Sequence, residues 1–182
     1  MDALRLLHER RSCAKLTEPA PEGAALDAIL KAALRVPDFQ HLRPYEFIIA
    51  RGEGLQRLGA LMEKAALASC QPADIVKRAP KMPLRAPLVI VVAAKARKSQ
   101  VVHLFEQQLT AGCAVMAMQM AAVAQGFSGI WRSGWPMFDK NLRRLLELGD
   151  EDQIVGFLYL GTPAEQPEPA TAVDPAPYVR FL

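Results

Sequence analysis

Two uncharged apolar segments constrain the fold of this 182-residue chain more than any other feature. Residues 86–94, APLVIVVAA, are continuously apolar and rich in β-branched side chains, which predicts a strand buried on both faces. Residues 107–125 carry no charge, but alanine predominates and four glutamines interrupt the run, so the segment enters a bilayer less favourably than a leucine-rich span. We interpret it as part of a buried helix that extends from about His103 to Gln125 and stops at Gly126.

The rest of the chain alternates short helices and strands. Helical spacing of apolar residues occurs at residues 2–9, from 21 to about 36, at 53–69 and at 142–148. Strand-like segments occur at residues 45–51, 127–131 and 154–161. Residues 163–182 contain five prolines, which predicts a tail without regular structure, and the apolar end of this tail predicts that it docks on a surface. The sequence therefore predicts a single domain, residues 1–182, of mixed α and β structure with a long central helix.

Composition and charge argue against several classes of protein. The formal net charge is only +3, without the clustered basic face that nucleic-acid binding requires. The three cysteines are far apart and form no C-x-x-C pair, which argues against a disulfide framework and against a zinc site. The N-terminus lacks the basic-then-apolar order of a signal peptide. We therefore expect a cytoplasmic protein that binds no metal, no nucleic acid and no membrane.

Three familiar motifs are incomplete in this chain. Gly52-Glu53-Gly54 follows a predicted strand, but Arg57 stands where a dinucleotide fingerprint has its third glycine. Gly129 and Gly134 have the spacing of a phosphate-binding P-loop, but Trp135-Pro136 replaces the Lys and Ser/Thr that the loop requires. The G-x-S-x-G elbow of hydrolases is absent, and none of the three histidines has a spaced partner that suggests a triad. Residues 52–54 therefore predict a simple strand-to-helix turn, and the chain does not predict a hydrolase.

Two triplets are the remaining candidates for a binding site. Arg10-Arg11-Ser12 lies where the first helix ends, and two guanidinium groups beside a hydroxyl suit a phosphate monoester; a solvated arginine pair is the alternative. Trp131-Arg132-Ser133 follows a glycine-containing turn and suits an aromatic-lined pocket; a core tryptophan beside a surface arginine is equally consistent with it. Taken alone, the triplets indicate an anion-binding domain of mixed α and β structure and nothing more specific.

The order of these segments resembles the nitroreductase family of flavoproteins. The resemblance runs from the first helix and RRS through LRVPDFQHLRPYEF, a buried strand, GCAVMAMQMAAVAQGFSGIWRSG and IVGFLYLGTP, and it is most specific at residues 111–133. It implies an α+β fold, a mixed and mostly antiparallel sheet flanked by helices around a long central helix. It also implies a homodimer with two FMN sites at the subunit interface, with the tail of residues 163–182 wrapping the partner subunit.

The resemblance also implies which residues bind the cofactors. The two triplets form opposite walls of one flavin site, and a loop that includes Phe39 reaches into it from the partner subunit. The implied FMN-binding residues are Arg10, Arg11, Ser12, Arg35, Phe39, Trp131, Arg132 and Ser133. The implied NAD(P)H-binding residues are Ala121, Ala122, Val123, Ala124, Gln125 and Gly126.

The implied activity is that of an FMN-dependent oxidoreductase. A hydride from NAD(P)H passes through flavin N5 to a small electron-poor acceptor, such as a nitroaromatic or a quinone, so no catalytic side chain is expected. Another flavin reaction on the same fold and a non-enzymatic flavin-binding module remain as alternatives. The chain departs from the family at Phe39, where His or Asn is frequent, and at Arg43-Pro44-Tyr45, in place of Gln-Pro-Trp. Arg43 suits three positions equally: facing a substrate anion, facing the flavin, or solvated.

Overall fold

A computed structural model describes residues 2–165, 167–168 and 170–182, so that Pro169 of the predicted tail lies outside the described residues. The helices are α1 (Ala3–Glu9), α2 (Gly23–Ala33), α3 (Glu53–Ala68), α4 (Ala73–Arg78), α5 (Leu104–Ala124), α6 (Trp135–Phe138) and α7 (Lys140–Leu145). The strands are β1 (Leu16–Thr17), β2 (Tyr45–Arg51), β3 (Leu88–Ala94), β4 (Ser128–Arg132) and β5 (Gln153–Pro163). The described part of the tail contains one 3₁₀ turn, Ala176–Tyr178.

The strands form one sheet in which β3 is central. β3 pairs with β2 on one side, with Val92 opposite Phe47, and with β5 on the other, with Val91 opposite Phe157. The far side of β5 pairs with β4 and, at its end, with β1. Every pairing among the described residues is antiparallel. The predicted α+β fold with an antiparallel sheet and a long helix is therefore confirmed.

Both faces of the sheet are covered by helices, which explains the continuous apolar sequence of β3. All seven residues of β3 are buried. Val89 and Val91 belong to the core cluster that also holds Met62 of α3, whereas Ile90 and Val92 belong to the cluster that holds Met118 of α5. Successive side chains of a strand point to opposite faces, so a strand between two helical layers must be apolar at every position.

Helix α5 has the extent that the sequence predicts. Its sheet-facing glutamines are satisfied: Gln107 Oε1 accepts a hydrogen bond from the Arg97 N–H at 2.8 Å, and Gln119 Nε2 donates to the Gly129 carbonyl at 2.9 Å. Gly126 follows the helix with φ +89°, a conformation that glycine adopts without strain. Among the described residues, no helix is long and apolar enough to cross a membrane.

The structure corrects both bounds of one predicted helix and contains short elements that the sequence does not predict. The helix predicted at 142–148 begins earlier, at Lys140, because Asp139 accepts the Leu142 N–H at 2.7 Å and so starts it. It ends at Leu145, before Glu147 takes a left-handed conformation with φ 60°. The segment 72–85, which lies in none of the predicted helices or strands, contains α4 and two 3₁₀ turns, and the short elements α6 and β1 have no clear sequence signal.

A buried ion pair at the end of β3 should make stability depend on pH. Burial alone raises the pKa of Asp152, but hydrogen bonds from Lys95 and from the backbone N–H groups of Ala96 and Gly149 outweigh it and hold this pKa below its ordinary value. The folded pKa is therefore the lower one, so the stabilisation is present above the unfolded pKa of about 4 and is lost as pH falls through the folded pKa.

We therefore expect Asp152→Asn to reduce the free energy of unfolding by about 2 kcal/mol near neutral pH, the usual size for hydrogen bonds to a charged group. The difference from wild type should shrink as pH falls below about 4. Urea unfolding of both proteins across this pH range measures it. A difference that stays constant into acid would contradict the role given to the ionised carboxylate.

Candidate functional site

One backbone carbonyl joins the elements that carry the candidate residues. The carbonyl of Gly129 in β4 accepts hydrogen bonds from Gln119 Nε2 of α5 at 2.9 Å and from the Cys13 N–H at 3.0 Å. Cys13 follows the first triplet directly, and Gly129 lies two residues before the second. A Cβ at Gly129 would lie 2.6 Å from the Tyr159 carbonyl, so β4 fits against β5 only with glycine there. This junction sets where both triplets lie relative to α5.

Arg10 and Arg11 of the first triplet line a cleft of about 620 Å³ beside the end of α5, whereas Ser12 does not line it. Arg10 is half-buried and Arg11 exposed, and Arg5 of α1 lines the same cleft. Arg5 is paired with Glu9 at 2.8 Å. Ser12 is exposed, and its Oγ is 3.5 Å from Arg10 Nη1, at the limit of a hydrogen bond. The adjacent guanidinium groups give the cleft the donors that an anion requires.

The cleft also receives residues from α5 and from the tail. Val123 and Gly126, two members of the implied NAD(P)H segment, line it beside Phe127. Ala122 of that segment is fully buried against the sheet, whereas Ala124 and Gln125 are exposed and Ala121 is half-buried. Pro167, Glu168 and Ala170 of the tail also lie in its wall. The structure thus brings the two arginines of the RRS triplet and the end of α5 together.

Trp131 lies on the α5 face of the sheet. Its Nε1 donates to the Val155 carbonyl at 3.2 Å, and its ring lies against Gly112 of α5 and Gly156 of β5. A Cβ at Gly156 would lie 1.9 Å from Trp131 Nε1, so the indole occupies space that only glycine leaves open. The ring is 39% exposed and lines an apolar groove of about 500 Å³ with Leu109.

Arg132 lies on the opposite face of the sheet from Trp131. The structure continues the strand through Arg132, one residue beyond its predicted end, and side chains alternate along a strand. The Arg132 guanidinium lies 5.5 Å from the centre of the Tyr159 ring. Burial raises the pKa of Tyr159, while the charges of Arg132 and Arg85 oppose that rise. Arg132 Nε is buried and has no hydrogen-bond partner among the described residues.

The remaining predicted site residues lie on the surface of a single chain. Arg35 follows α2 and is exposed, as is Ser133 after β4. Phe39, in a short 3₁₀ turn before β2, is 68% exposed. The cleft beside Arg10 and the groove beside Trp131 share no lining residue, so in one chain they are separate surfaces. Among the described residues, no cluster of His, Cys, Asp and Glu is placed to hold a metal ion.

Sequence reasoning missed the residues that position these side chains. Gln119 and Gly129 bond the site's elements together, Gly156 makes room for Trp131, and Asp38 organises the loop of Phe39. Gln119 carried a signal, because a polar side chain on the buried face of an apolar helix needs a partner. Gly129 and Gly156 carry no such signal in the sequence, because their importance depends on which residue packs against them.

Known proteins resemble this chain over almost its whole length. Residues 7–162 match the family described as "Nitroreductase family". A protein of Escherichia coli (strain K12), described as "Putative NAD(P)H nitroreductase YdjA", is 47% identical over 183 aligned positions that cover 100% of both chains.

Solved structures share the fold at lower sequence identity. A nitroreductase-like family protein from Bacillus cereus has a TM-score of 0.83 and 23% identity, covering 100% of this chain and 96% of its own. An FMN-dependent nitroreductase from Clostridium difficile R20291 has a TM-score of 0.71 and 24% identity, covering 98% of each chain. The antiparallel sheet, the long helix and the sequence match lead to one assignment: this chain belongs to the nitroreductase family.

Proposed function

We propose that this chain is the subunit of a homodimeric FMN-dependent oxidoreductase that takes a hydride from NAD(P)H and passes it to an electron-poor acceptor, such as a nitroaromatic or a quinone. The observation that carries the proposal is the cleft at the end of α1, where Arg10 and Arg11 face the end of α5 in a chain of this family. Relatives described as an NAD(P)H nitroreductase and as an FMN-dependent nitroreductase support it.

The residues present are suited to FMN. The cleft volume of about 620 Å³ is within the range of small-molecule sites. Arg10 and Arg11 supply charge-assisted donors for a phosphate, and Glu9 is already paired with Arg5 and so opposes an anion less strongly. Arg132 does not line the cleft, but its buried Nε has no partner among the described residues, and a ligand oxygen reaching it would satisfy this donor.

The protein's part in the reaction is binding, orientation and electrostatics. FMN, when bound, would supply the redox chemistry, which is hydride transfer between a nicotinamide and an acceptor. Arg10 and Arg11 hold the phosphate, with Ser12 as an added donor. Arg132 and Trp131 do not line this cleft in one chain, so their part in the proposed site depends on the dimer bringing the groove of Trp131 to the cleft. There the positive charge of Arg132 would favour the reduced, anionic flavin, and Trp131 would provide a flat apolar wall.

The homodimer is supported by an apolar face of α5 that a single chain leaves exposed. Ala111, Val115 and Met118 face the sheet and are buried, yet Phe105 and Leu109 on the other side are 67% and 53% exposed. A helix that is apolar on all sides is normally covered on all sides. The tail ends in exposed apolar residues as well: Tyr178, Val179, Phe181 and Leu182. A second copy of the chain would cover both surfaces and bring Phe39 of the partner subunit to the cleft.

Leu109→Asp is expected to dissociate the dimer, because it would bury an unpaired charge in the centre of the helix-to-helix contact. Sedimentation velocity should give a dimer for wild type and a monomer for the variant. Leu67→Asp is the matched control, because Leu67 is 61% exposed on α3, away from α5, and this variant should stay dimeric. A monomeric wild type would contradict the proposed assembly.

Steady-state kinetics test the proposed activity directly. With FMN present, oxidation of NADH or NADPH should depend on a quinone or a nitroaromatic. Double-reciprocal plots should give parallel lines, because donor and acceptor use one site in turn. FMN binding without any turnover of these acceptors would contradict the proposed reaction and favour a flavin-binding module.

A further inference from the structure

Residues 38–43, which we term the Phe39 loop, have an unusual backbone. Gln40, His41 and Arg43 take left-handed conformations, with φ of 62°, 51° and 50°, and none of them is glycine. Left-handed backbone is unfavourable for residues that carry a Cβ, and it persists only where surrounding contacts impose it. The Phe39 loop is therefore held in its shape by other groups.

The carboxylate of Asp38 is the main such group. Its Oδ1 accepts the Leu42 N–H at 3.0 Å, and its Oδ2 accepts both the Arg43 N–H at 3.0 Å and Arg43 Nη1 at 3.2 Å. The Asp38 side chain is only 4% exposed, so these bonds are little weakened by water. One carboxylate thus joins the start of the loop to its end.

A second contact joins the loop to the segment before α5. Ser99 Oγ donates to Gln40 Oε1 at 3.2 Å, and it also accepts the N–H groups of Val101 and Val102 at 3.2 and 3.0 Å. The Val102 carbonyl in turn accepts Gln107 Nε2 of α5 at 3.3 Å. The loop is therefore bound at both of its ends and at its middle.

The residue that this rigid loop presents is Phe39. Its ring is 68% exposed, although its neighbour Asp38 is buried. A strained backbone that exposes an apolar ring to water does not stabilise a single chain. Strain of this kind is typical of residues that contact a ligand or a partner.

We propose that Asp38 is a positioning residue that holds Phe39 where it shapes the acceptor pocket. This inference rests on the proposed function, in which Phe39 reaches the FMN site of the partner subunit. Asp38 acts through Phe39 and touches neither FMN nor substrate. Loss of the carboxylate lets the loop relax towards ordinary backbone angles, and the ring then no longer stays where the acceptor requires it.

The test combines Asp38→Asn, Phe39→Ala and the double variant, each loaded with FMN. Asp38→Asn should raise the KM for a quinone about tenfold, a typical cost of misplacing a contact, while kcat and the Kd for FMN change less than about twofold. Phe39→Ala should raise the same KM, and the double variant should match Phe39→Ala alone, because residues that act through one another are not additive. Arg43→Gln, which keeps the backbone bonds, should give a smaller rise.

Asp152→Asn is the matched control, because Asp152 also accepts two backbone N–H groups and a cationic side chain, but its bonds go to Lys95, Ala96 and Gly149 and to no residue of the Phe39 loop. It should lower stability and leave the acceptor KM unchanged. A readout independent of turnover is amide hydrogen exchange: the Leu42 and Arg43 amides should exchange at least about tenfold faster in Asp38→Asn than in wild type.

The role of Asp38 would be overturned by any of three results. The KM of the double variant could rise by the product of the two single-variant rises, or Asp152→Asn could raise the KM as much as Asp38→Asn does. Amide exchange at Leu42 and Arg43 could also be unchanged in Asp38→Asn. A wild type without FMN or turnover would instead overturn the proposed function, and this role with it.

Discussion

Replacing Arg10 and Arg11 together with alanine is expected to weaken FMN binding at least 100-fold. In the proposed site each arginine would supply charge-assisted hydrogen bonds to the phosphate, worth about 1.5–3 kcal/mol in a partly buried site. The loss of both therefore amounts to about 3–6 kcal/mol, or about two to four orders of magnitude in Kd. Titration of FMN followed by flavin fluorescence measures it, and circular dichroism checks that the variant is folded.

A second arginine pair provides the control for this prediction. Arg143 and Arg144 lie at the end of α7, where both contact Asp150, and their replacement removes the same two charges from another part of the chain. Because the Arg143 side chain is only 16% exposed, circular dichroism checks that this variant is folded as well. That variant should bind FMN within about threefold of wild type, since long-range charge effects are screened by salt. Equal losses in the two variants would contradict a specific phosphate contact at the first triplet.

Gly156→Ala is expected to reduce the free energy of unfolding by about 2–4 kcal/mol. The new Cβ would lie 1.9 Å from Trp131 Nε1, so the indole must leave its place and its hydrogen bond to the Val155 carbonyl is lost. Overpacking typically costs about 1–3 kcal/mol and a lost hydrogen bond about 1 kcal/mol. Thermal unfolding should show this as a melting temperature lower by about 5–15 °C.

Two further variants separate this clash from a general intolerance of alanine. Gly54→Ala, in α3, meets no atom closer than 3.9 Å and should be neutral or slightly stabilising. Trp131→Ala removes the clashing ring, so adding Gly156→Ala to it should cost little more. If Gly156→Ala proves as stable as wild type, the indole does not occupy the position described.

The parts of the fold that sequence predicts are those whose signal is local. β3 and α5 are long and apolar, and their positions agree with the sequence because only burial between layers accommodates them. β1 could not be foreseen, since its two residues form a strand only by pairing with Thr162 and Pro163 at the end of β5. The sequence predicts helix α7 two residues too late, because its start depends on the side chain of Asp139 and not on apolar spacing.

The candidate site was predicted in its parts but not in its geometry. The arginines of the first triplet do line a cleft, and Val123 and Gly126 lie in the same cleft. The second triplet reads as one unit in sequence, yet strand alternation places Trp131 and Arg132 on opposite faces. The shape of the Phe39 loop depends on the Asp38 carboxylate, and neither residue carries a local pattern from which those contacts follow.

The central claim is that the arginine-lined cleft holds a flavin which NAD(P)H reduces. Its most direct measurement is an anaerobic titration of purified, FMN-saturated protein with NADH and with NADPH, followed by the yellow flavin absorbance. We expect about one bound FMN per chain and loss of the yellow absorbance as a nicotinamide donor is added, in proportion to the bound flavin. Protein that takes up no FMN, or whose bound FMN stays oxidised with both donors, would contradict it.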